Sequence, residues 1–281
     1  MLLKPQRLVY EGLVRSALLE DVGHGADLTT DAIVPGDAQI TARIAARKAG
    51  IVAGLDASVF AFELLDRETT VEARIADGDA VAAGGEIARV RGSARAILTG
   101  ERTALNVLGR LCGIATATRE LVDLVAGTKA RIVCTRKTTP GWRALERYAV
   151  RCGGGSDHRF GLDDAVLVKD NHIAVAGSLH GCVAAVRASV GHMVKVEVEV
   201  DTLDQLREAL LEPVDAVLLD NMSPDELHEA VGMVNGKIIT EASGGITKAN
   251  VAEIASTGVD LISAGWLTHS SPALDVGLDI G

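Results

Sequence analysis

The sequence predicts an α/β protein whose larger part is built on a parallel sheet. Six short β-rich runs begin near residues 131, 165, 194, 216, 237 and 259, and each is followed by a polar or glycine-rich turn and usually by a helical stretch. The last four begin 21 or 22 residues apart. Strands and helices alternating at this spacing are typical of βαβ units. Six such units favour a TIM-like barrel, with a doubly wound open sheet as the alternative; no GxGxxG motif supports a dinucleotide site.

The first hundred residues have a different pattern. Residues 1–20 predict an amphipathic helix, because charged side chains interrupt the apolar ones too often for a signal peptide. Strand-like runs at 38–46 and 71–75 are followed by glycine turns, so this half is predicted to be α+β. From residue 98 to 125 the leucine spacing predicts a helix.

Composition limits the classes of partner. The chain has 281 residues, a net charge of −10 and 2% aromatic residues, which disfavours nucleic acid and anionic membranes as partners. No run approaches the roughly 18 apolar residues of a membrane span. The four cysteines lie 18 or more residues apart with no CxxC pair, which disfavours a zinc site or a disulfide framework. We therefore expect a cytoplasmic protein.

The run at 194–200 alternates valine with charged residues. Period-2 geometry places Lys195, Glu197 and Glu199 on one face of a strand and the valines on the other. Inside a barrel, three charges would need paired partners or a polar ligand. The alternative is a solvated face on an edge strand.

Polar side chains gather where the β-rich runs end. Parallel strands place their carboxyl ends at one rim, which is where barrel enzymes build active sites. The residues concerned are Thr135, Arg136, Lys137, Lys169, Asp170, Asn171, Glu199, Asp220, Asn221, Glu241, Ser243, Gly244, Gly245, Ser263, Ala264 and Gly265.

Charge and glycine turns indicate an anionic ligand. Residues 131–169 hold eight basic and four acidic side chains within an acidic protein, which is typical of a site for an acidic small molecule. Arg143, Arg147 and Arg151 share one helical stripe and are expected on a surface helix instead. The turns at 243–245 and 264–265 stand where the last two barrel loops often bind phosphate.

Two carboxylates are candidate magnesium ligands. Mg²⁺ takes few protein carboxylates and keeps water and substrate oxygens, and Glu199 and Asp220 would suit it. The alternative is that these two side chains only balance the charge of nearby lysines or arginines.

The motifs together resemble the quinolinate phosphoribosyltransferase family. They occur in the family's order over nearly the whole chain, and TRKTTPG with KDNHI is highly specific. The segments are 27–30 (DLTT), 101–106 (ERTALN), 135–141 (TRKTTPG), 153–155 (GGG) with His158 and Arg159, 169–173 (KDNHI), 197–199 (EVE), 219–221 (LDN), 241–246 (EASGGI) and 267–270 (LTHS).

The resemblance implies an architecture and an assembly. It implies an N-terminal α/β sandwich domain at residues 1–103 and an incomplete TIM-like α/β barrel at 104–270, with the tail 271–281 packing back on the first domain. It also implies a homodimer or a hexamer built as a trimer of dimers, in which Arg102 reaches the site of the neighbouring subunit.

The resemblance also implies a reaction of NAD biosynthesis. Phosphoribosyl pyrophosphate and quinolinate would give nicotinate mononucleotide, pyrophosphate and CO₂, with Mg²⁺ required and held by Glu199 and Asp220, directly or through water or substrate. Lys137, Lys169, Glu199 and Asp220 would be catalytic. The substrate-binding residues would be these four with Arg102, Thr135, Arg136, His158, Arg159, Ser243, Gly244, Gly245, Ala264, Gly265, Trp266 and His269.

Two departures and three alternatives accompany this assignment. Cys134 stands where many family members have aspartate, and Asp157 adds a negative charge beside the anion site. A related family of molybdenum-linked proteins shares the fold. Lys169 could instead form a Schiff base, as in an aldolase. A binding protein that kept the fold without the reaction is the non-catalytic alternative.

Overall fold

The computed structural model describes residues 2–25 and 27–280 and contains the following strands and helices. The strands are β1 (Gln39–Ala46), β2 (Gly50–Ile51), β3 (Thr70–Ala73), β4 (Ala80–Val81), β5 (Glu86–Ser93), β6 (Arg131–Val133), β7 (Val166–Val168), β8 (Val196–Val200), β9 (Ala216–Asp220), β10 (Ile239–Ser243), β11 (Leu261–Ser263) and β12 (Val276–Ile280). The helices are α1 (Arg7–Val22), α2 (Leu28–Ile33), α3 (Leu55–Leu65), α4 (Ala94–Leu124), α5 (Arg143–Cys152), α6 (Asp170–Ala176), α7 (Leu179–Ser189), α8 (Leu203–Ala209), α9 (Pro224–Val234), α10 (Val251–Ser256) and α11 (Trp266–His269).

The chain divides into two compact units. One comprises residues 1–119, 138–154 and 266–281, and the other comprises 120–137 and 155–265. The predicted domain boundary at residue 103 falls inside α4, and the division into domains stays a prediction. None of the described helices is long and apolar enough to cross a membrane.

The first unit is organised around an antiparallel sheet of four strands. Its strand order is β12-β1-β5-β3, and β12 pairs with β1 along Ala42↔Ile280 to Ala46↔Val276. The segment after residue 270 therefore contributes the edge strand of the N-terminal sheet, although Gly281 lies outside the described residues. The predicted helix at 1–20 corresponds to α1, while Met1 also lies outside the described residues.

One helix of the first unit differs from its prediction. The arginine stripe does form a helix, α5, but Arg147 is buried within it rather than exposed. Helix α5 carries its large apolar residues and Glu146 inward, and Arg110 from α4 pairs with that glutamate at 2.8 Å. Burial of Arg147 follows from this packing, which the spacing of the arginines alone does not reveal.

The second unit contains the predicted parallel sheet. All six β-rich runs form strands, in the order β6-β11-β10-β9-β8-β7, and every pairing is parallel. Strands that follow one another from β7 to β11 lie side by side, and β6 adjoins β11. The two edge strands, β6 and β7, do not pair with each other, as in a barrel that is left open between two strands. Ser156 forms an isolated parallel bridge to Val133, the last residue of β6. The predicted α/β fold class is confirmed.

Strand β8 shows why two of its charges are buried. It lies between β7 and β9, so the edge-strand alternative is wrong. Its valines pack in the core, while Glu197 and Glu199 lie on the opposite face. Lys195 precedes the strand and pairs with Asp215 at 2.7 Å, with most of its side chain exposed. The expectation of three interior charges is therefore wrong for Lys195.

Short loops after the strands fix the positions of the polar side chains. Helix α9 begins with a capping box in which Ser223 and Glu226 satisfy each other's backbone N–H groups, with Pro224 at its first turn. Thr202 and Gln205 make the same arrangement at α8. These caps end the loops at defined residues, which holds the ends of β8 and β9 in place.

Candidate active site

A cavity of about 270 Å³ opens at the carboxyl ends of the parallel strands, within the second unit. It combines arginine and lysine side chains with carboxylates and two leucines, so its wall offers both signs of charge and an apolar surface. The lining residues are Thr135, Arg136, Lys137, His158, Arg159, Leu167, Lys169, Glu199, Leu218, Asp220, Glu241, Ser243 and Ser263.

The structure brings together nine of the residues predicted for the site. These are Thr135, Arg136, Lys137, His158, Arg159, Lys169, Glu199, Asp220 and Ser243. Gly244 and Gly245 follow β10 and Ala264 and Gly265 follow β11, in the same unit but outside the lining. Arg102, Trp266 and His269 belong to the other unit.

Four lining residues are not among the predicted catalytic, substrate-binding or metal-binding residues. Leu167 and Leu218 read as strand core, and no local signal marks them as lining. Glu241 and Ser263 are among the polar residues that the sequence places near the strand ends, but the family resemblance gave neither of them a role.

Arg136 and Arg159 form the cationic part of the cavity. The Nε atoms of both are buried and have no hydrogen-bond partner among the described residues. Burial, and then the positive charge of Arg136, lower the pKa of Arg159. Its Nη1 donates to the carbonyl of Ala165 at 2.9 Å, which fixes the guanidinium. Two neighbouring guanidiniums with free donors suit an anion with more than one carboxylate.

Lys169 and Glu199 join opposite charges across the ends of β7 and β8. The Lys169 ammonium donates to Glu199 Oε2, and the carboxylate is largely buried while the lysine is half-exposed. An ammonium held by a carboxylate is a poor nucleophile, which disfavours the Schiff-base alternative. The pair places both charges at the mouth of the cavity.

His158 connects two buried glutamates beneath the cavity. Its Nε2 lies 3.2 Å from Glu197 and 3.6 Å from Glu241. The backbone N–H of Arg159 donates to Nδ1 at 2.7 Å, so the proton of the neutral ring lies on Nε2, toward Glu197. The imidazole is therefore oriented by protein groups on both nitrogens.

Glu241 is the most buried carboxyl of the site. It is 1% exposed, and its Oε1 accepts no hydrogen bond from the described residues. Burial, together with the charge of Glu197, raises the pKa of Glu241 to about 7. Part of the Glu241 population is therefore protonated at neutral pH, which limits the negative charge beneath the arginines.

The side chains that could hold a metal fall into two sets. Ligand atoms of His158, Glu197 and Glu241 lie within 4.8 Å of one another. Glu199 and Asp220, the predicted magnesium ligands, are outside that group but line the same cavity. Oδ1 of Asp220 has no partner in the described part of the chain, whereas Oδ2 accepts from Asn221. Two carboxylates at an open cavity fit a hard cation that takes its other ligands from water and substrate.

The two glycine turns differ in what they offer an anion. Gly244 and Gly245 both have positive φ, 91° and 61°, so the turn after β10 needs glycine at each position. After β11 the backbone N–H of Ala264 donates to Val133 at 3.1 Å, and it is therefore not available to a phosphate.

Comparison with known protein families matches nearly the whole chain. Residues 27–112 match the model described as quinolinate phosphoribosyl transferase, N-terminal domain, and residues 114–279 match that of its C-terminal domain. A nicotinate-nucleotide pyrophosphorylase (carboxylating) of Mycobacterium leprae is 43% identical over 275 residues, covering 95% of each chain. A chloroplastic protein of the same name from Arabidopsis thaliana is 40% identical, covering 96% of this chain and 82% of the relative.

Solved structures give the same result. The nicotinate-nucleotide pyrophosphorylase of Francisella tularensis superposes with a TM-score of 0.94 at 38% identity, covering 99% of this chain and 98% of that one. A NadC structure from Streptococcus pyogenes also has a TM-score of 0.94 at 38% identity, with 99% of both chains covered.

Proposed function

Because the chain belongs to the quinolinate phosphoribosyltransferase family, we propose that it joins quinolinate to phosphoribosyl pyrophosphate with loss of CO₂. The products are nicotinate mononucleotide, pyrophosphate and CO₂, in a step of NAD biosynthesis. The observation that carries the proposal is the lining of one cavity by cations and carboxylates at the carboxyl ends of the parallel strands. Quinolinate, a pyridine with two carboxylates, needs the cations, and a ribosyl group that becomes cationic needs the carboxylates.

The cationic wall suits quinolinate. Arg136 and Arg159 have unpartnered Nε donors that would pair with its carboxylates, and Lys137 adds a positive charge at the same wall. His158 is held at the floor by Glu197, and it would orient the arginine pair through its bond from the backbone of Arg159. The leucines Leu167 and Leu218 offer apolar surface for the pyridine ring.

The carboxylate wall suits the ribosyl donor. Glu199 and Asp220 would face the ribose, whose C1′ gains positive charge as pyrophosphate departs, and nearby negative charge favours that state. These two carboxylates would also hold Mg²⁺, which supplies neutralisation of the pyrophosphate leaving group. When substrate binds, the Lys169 ammonium would exchange its ion pair with Glu199 for one with an anionic group of the substrate. The turn at 243–245 would hold the 5′-phosphate.

The reaction then follows from alignment and charge. Holding the pyridine nitrogen against C1′ removes much of the entropic barrier as the C1′–O bond breaks and the N–C1′ bond forms. The ring nitrogen is then positively charged, so it stabilises the electron pair left at C2 when the C2–carboxylate bond breaks and CO₂ departs. C2 takes a proton from water. No covalent intermediate with the protein is needed.

We also propose a homodimer or a hexamer built from dimers, with Arg102 acting in the neighbouring subunit's site, and a cytoplasmic location. Arg102 is exposed and makes no ion pair with any described residue. Large apolar side chains are exposed in the first 33 residues, which supports their being covered by another subunit. These are Leu3, Leu8, Val9, Leu19, Leu28 and Ile33.

A carboxyl-labelled substrate tests the reaction. Quinolinate labelled in its 2-carboxylate should release labelled CO₂ only when Mg²⁺ and phosphoribosyl pyrophosphate are both present. Label in the 3-carboxylate should remain in nicotinate mononucleotide. Absence of release by the folded wild-type protein, or release without the ribosyl donor, would contradict the proposal.

A further inference from the structure

Asn221 adopts a left-handed backbone conformation at the end of β9. Its φ is 55°, and among the described non-glycine residues only Asn235 shares a positive φ. Asn235 ends α9, where this conformation is a common helix cap. Asn221 ends no helix; it follows Asp220 directly on the rim of the cavity.

The side chain of Asn221 fixes one oxygen of Asp220. Its Nδ2 donates to Asp220 Oδ2 at 2.7 Å. Oδ1 of the same carboxylate has no partner among the residues the structure describes. The amide thus determines the plane of the carboxylate and leaves one oxygen for a ligand in the cavity.

Asn221 also packs on the glycine turn of the next strand. Its backbone N–H donates to the carbonyl of Ser243 at 2.9 Å. A Cβ placed on Gly244 would lie 2.1 Å from Asn221 Oδ1 and 3.0 Å from Asn221 N, so the backbone of Gly244 rests directly against the asparagine. One residue therefore contacts both Asp220 and the turn at 243–245.

We propose that Asn221 is a positioning residue that holds Asp220 and the turn at 243–245 at a fixed separation for one phosphoribosyl group. The proposal rests on the proposed function, which gives the ribose to Asp220 and the 5′-phosphate to that turn. Both groups belong to the same small, semi-rigid molecule, so an error in the separation would misplace C1′. A misplacement of about 1 Å can lower a rate by about 100-fold.

Three variants separate positioning from a backbone role. Asn221→Gly keeps the left-handed conformation and removes the amide, whereas Asn221→Ala removes the amide and strains the backbone. Asn221→Asp keeps the size and tolerates the conformation, but it places a carboxylate against Asp220. The measurements are the melting temperature, KM for phosphoribosyl pyrophosphate at saturating quinolinate, and calorimetric affinities for ribose 5-phosphate and for quinolinate alone.

Positioning predicts that Asn221→Gly melts near the wild-type temperature and loses about 10-fold in kcat/KM for phosphoribosyl pyrophosphate. Asn221→Asp should lose about 100-fold in the same kcat/KM. The Asn221→Gly and Asn221→Asp variants should both bind ribose 5-phosphate more weakly and keep their affinity for quinolinate. Asn235→Gly and Asn235→Ala are matched controls that should change only the melting temperature. If Asn221→Gly keeps wild-type constants and only Asn221→Ala is impaired, the role is conformational and the proposal is wrong. Lack of quinolinate-dependent activity in the wild type would instead overturn the proposed function.

Discussion

The ammonium of Lys169 bonds to the carboxylate of Glu199, across the adjacent ends of β7 and β8. This contact neutralises, within the protein, two charges that the proposed reaction would use on different substrates. The lysine side of the pair is half-exposed, and both side chains line the open cavity, where a ligand can reach them. A ligand can therefore separate the two side chains.

Replacing Lys169 should abolish turnover and leave the fold intact. Lys169→Ala removes a cation from the cavity, and the Glu199 carboxylate that it leaves lines an open cavity, where water can take the place of the ammonium. We expect kcat/KM to fall by about 100-fold or more with a melting temperature close to that of the wild type. Lys195→Ala, which breaks the exposed pair with Asp215 at the other end of β8, is the control and should retain activity. Near wild-type turnover in Lys169→Ala would refute the assignment.

Arg136 should govern the affinity for quinolinate. Its buried Nε has no partner among the described residues, so the guanidinium has a donor to offer the substrate. Arg136→Ala should raise KM for quinolinate by about 10-fold to 100-fold, since a charge-assisted hydrogen bond contributes roughly 1.5–3 kcal/mol. Steady-state kinetics measures this, and circular dichroism checks the fold. Arg131→Ala, at the exposed opposite end of β6, should leave KM unchanged.

The sequence was sufficient to predict those site residues that are polar and stand at the end of a β-rich run. Thr135, Lys169, Glu199 and Asp220 each end a β-rich run, and parallel strands bring such positions to one rim. The six strands were predictable because helical stretches alternate with the β-rich runs, the last four of which begin 21 or 22 residues apart.

Side-chain burial was not predictable in this way. Whether Glu241 stays at the rim or sinks beside His158 depends on how residues 155–165 pack at the seam between β6 and β7, which no local pattern encodes. The alternation of valine with charged residues at 194–200 predicts Lys195 in the barrel interior, but β8 begins one residue later, at Val196. Arg147 was expected outside, and tertiary packing of α5 overrides the charge of its side chain.

Glu241 should make stability depend on pH. Its folded-state pKa of about 7 lies above the ordinary 4.5, so folding takes up a proton and stability falls as pH rises from about 4.5 to 7. Glu241→Gln has no such titration. The free energy of unfolding of the variant relative to the wild type should therefore grow, on the order of 2 kcal/mol, between pH 5 and pH 8. Urea unfolding at several pH values measures it.

A second glutamate provides the control for that experiment. Hydrogen bonds from Ser223 lower the pKa of Glu226, so its contribution to stability is present above its ordinary pKa and is lost in acid. Glu226→Gln should therefore lose stability relative to the wild type only as pH rises through the acid range up to about 4.5, and the difference should stay constant from pH 5 to pH 8. A flat difference for Glu241→Gln from pH 5 to pH 8 would contradict the raised pKa.

Mixing two inactive variants tests the role proposed for Arg102. In a twofold dimer whose sites take Arg102 from one chain and Lys169 from the other, a hybrid of Arg102→Ala and Lys169→Ala chains has one complete site and one site lacking both residues. The hybrid, purified through a different tag on each chain, should recover about half of the wild-type activity per dimer. Each variant alone should stay inactive. A purified hybrid without activity would place Arg102 in the site of its own chain, because each hybrid site would then lack one of the two residues.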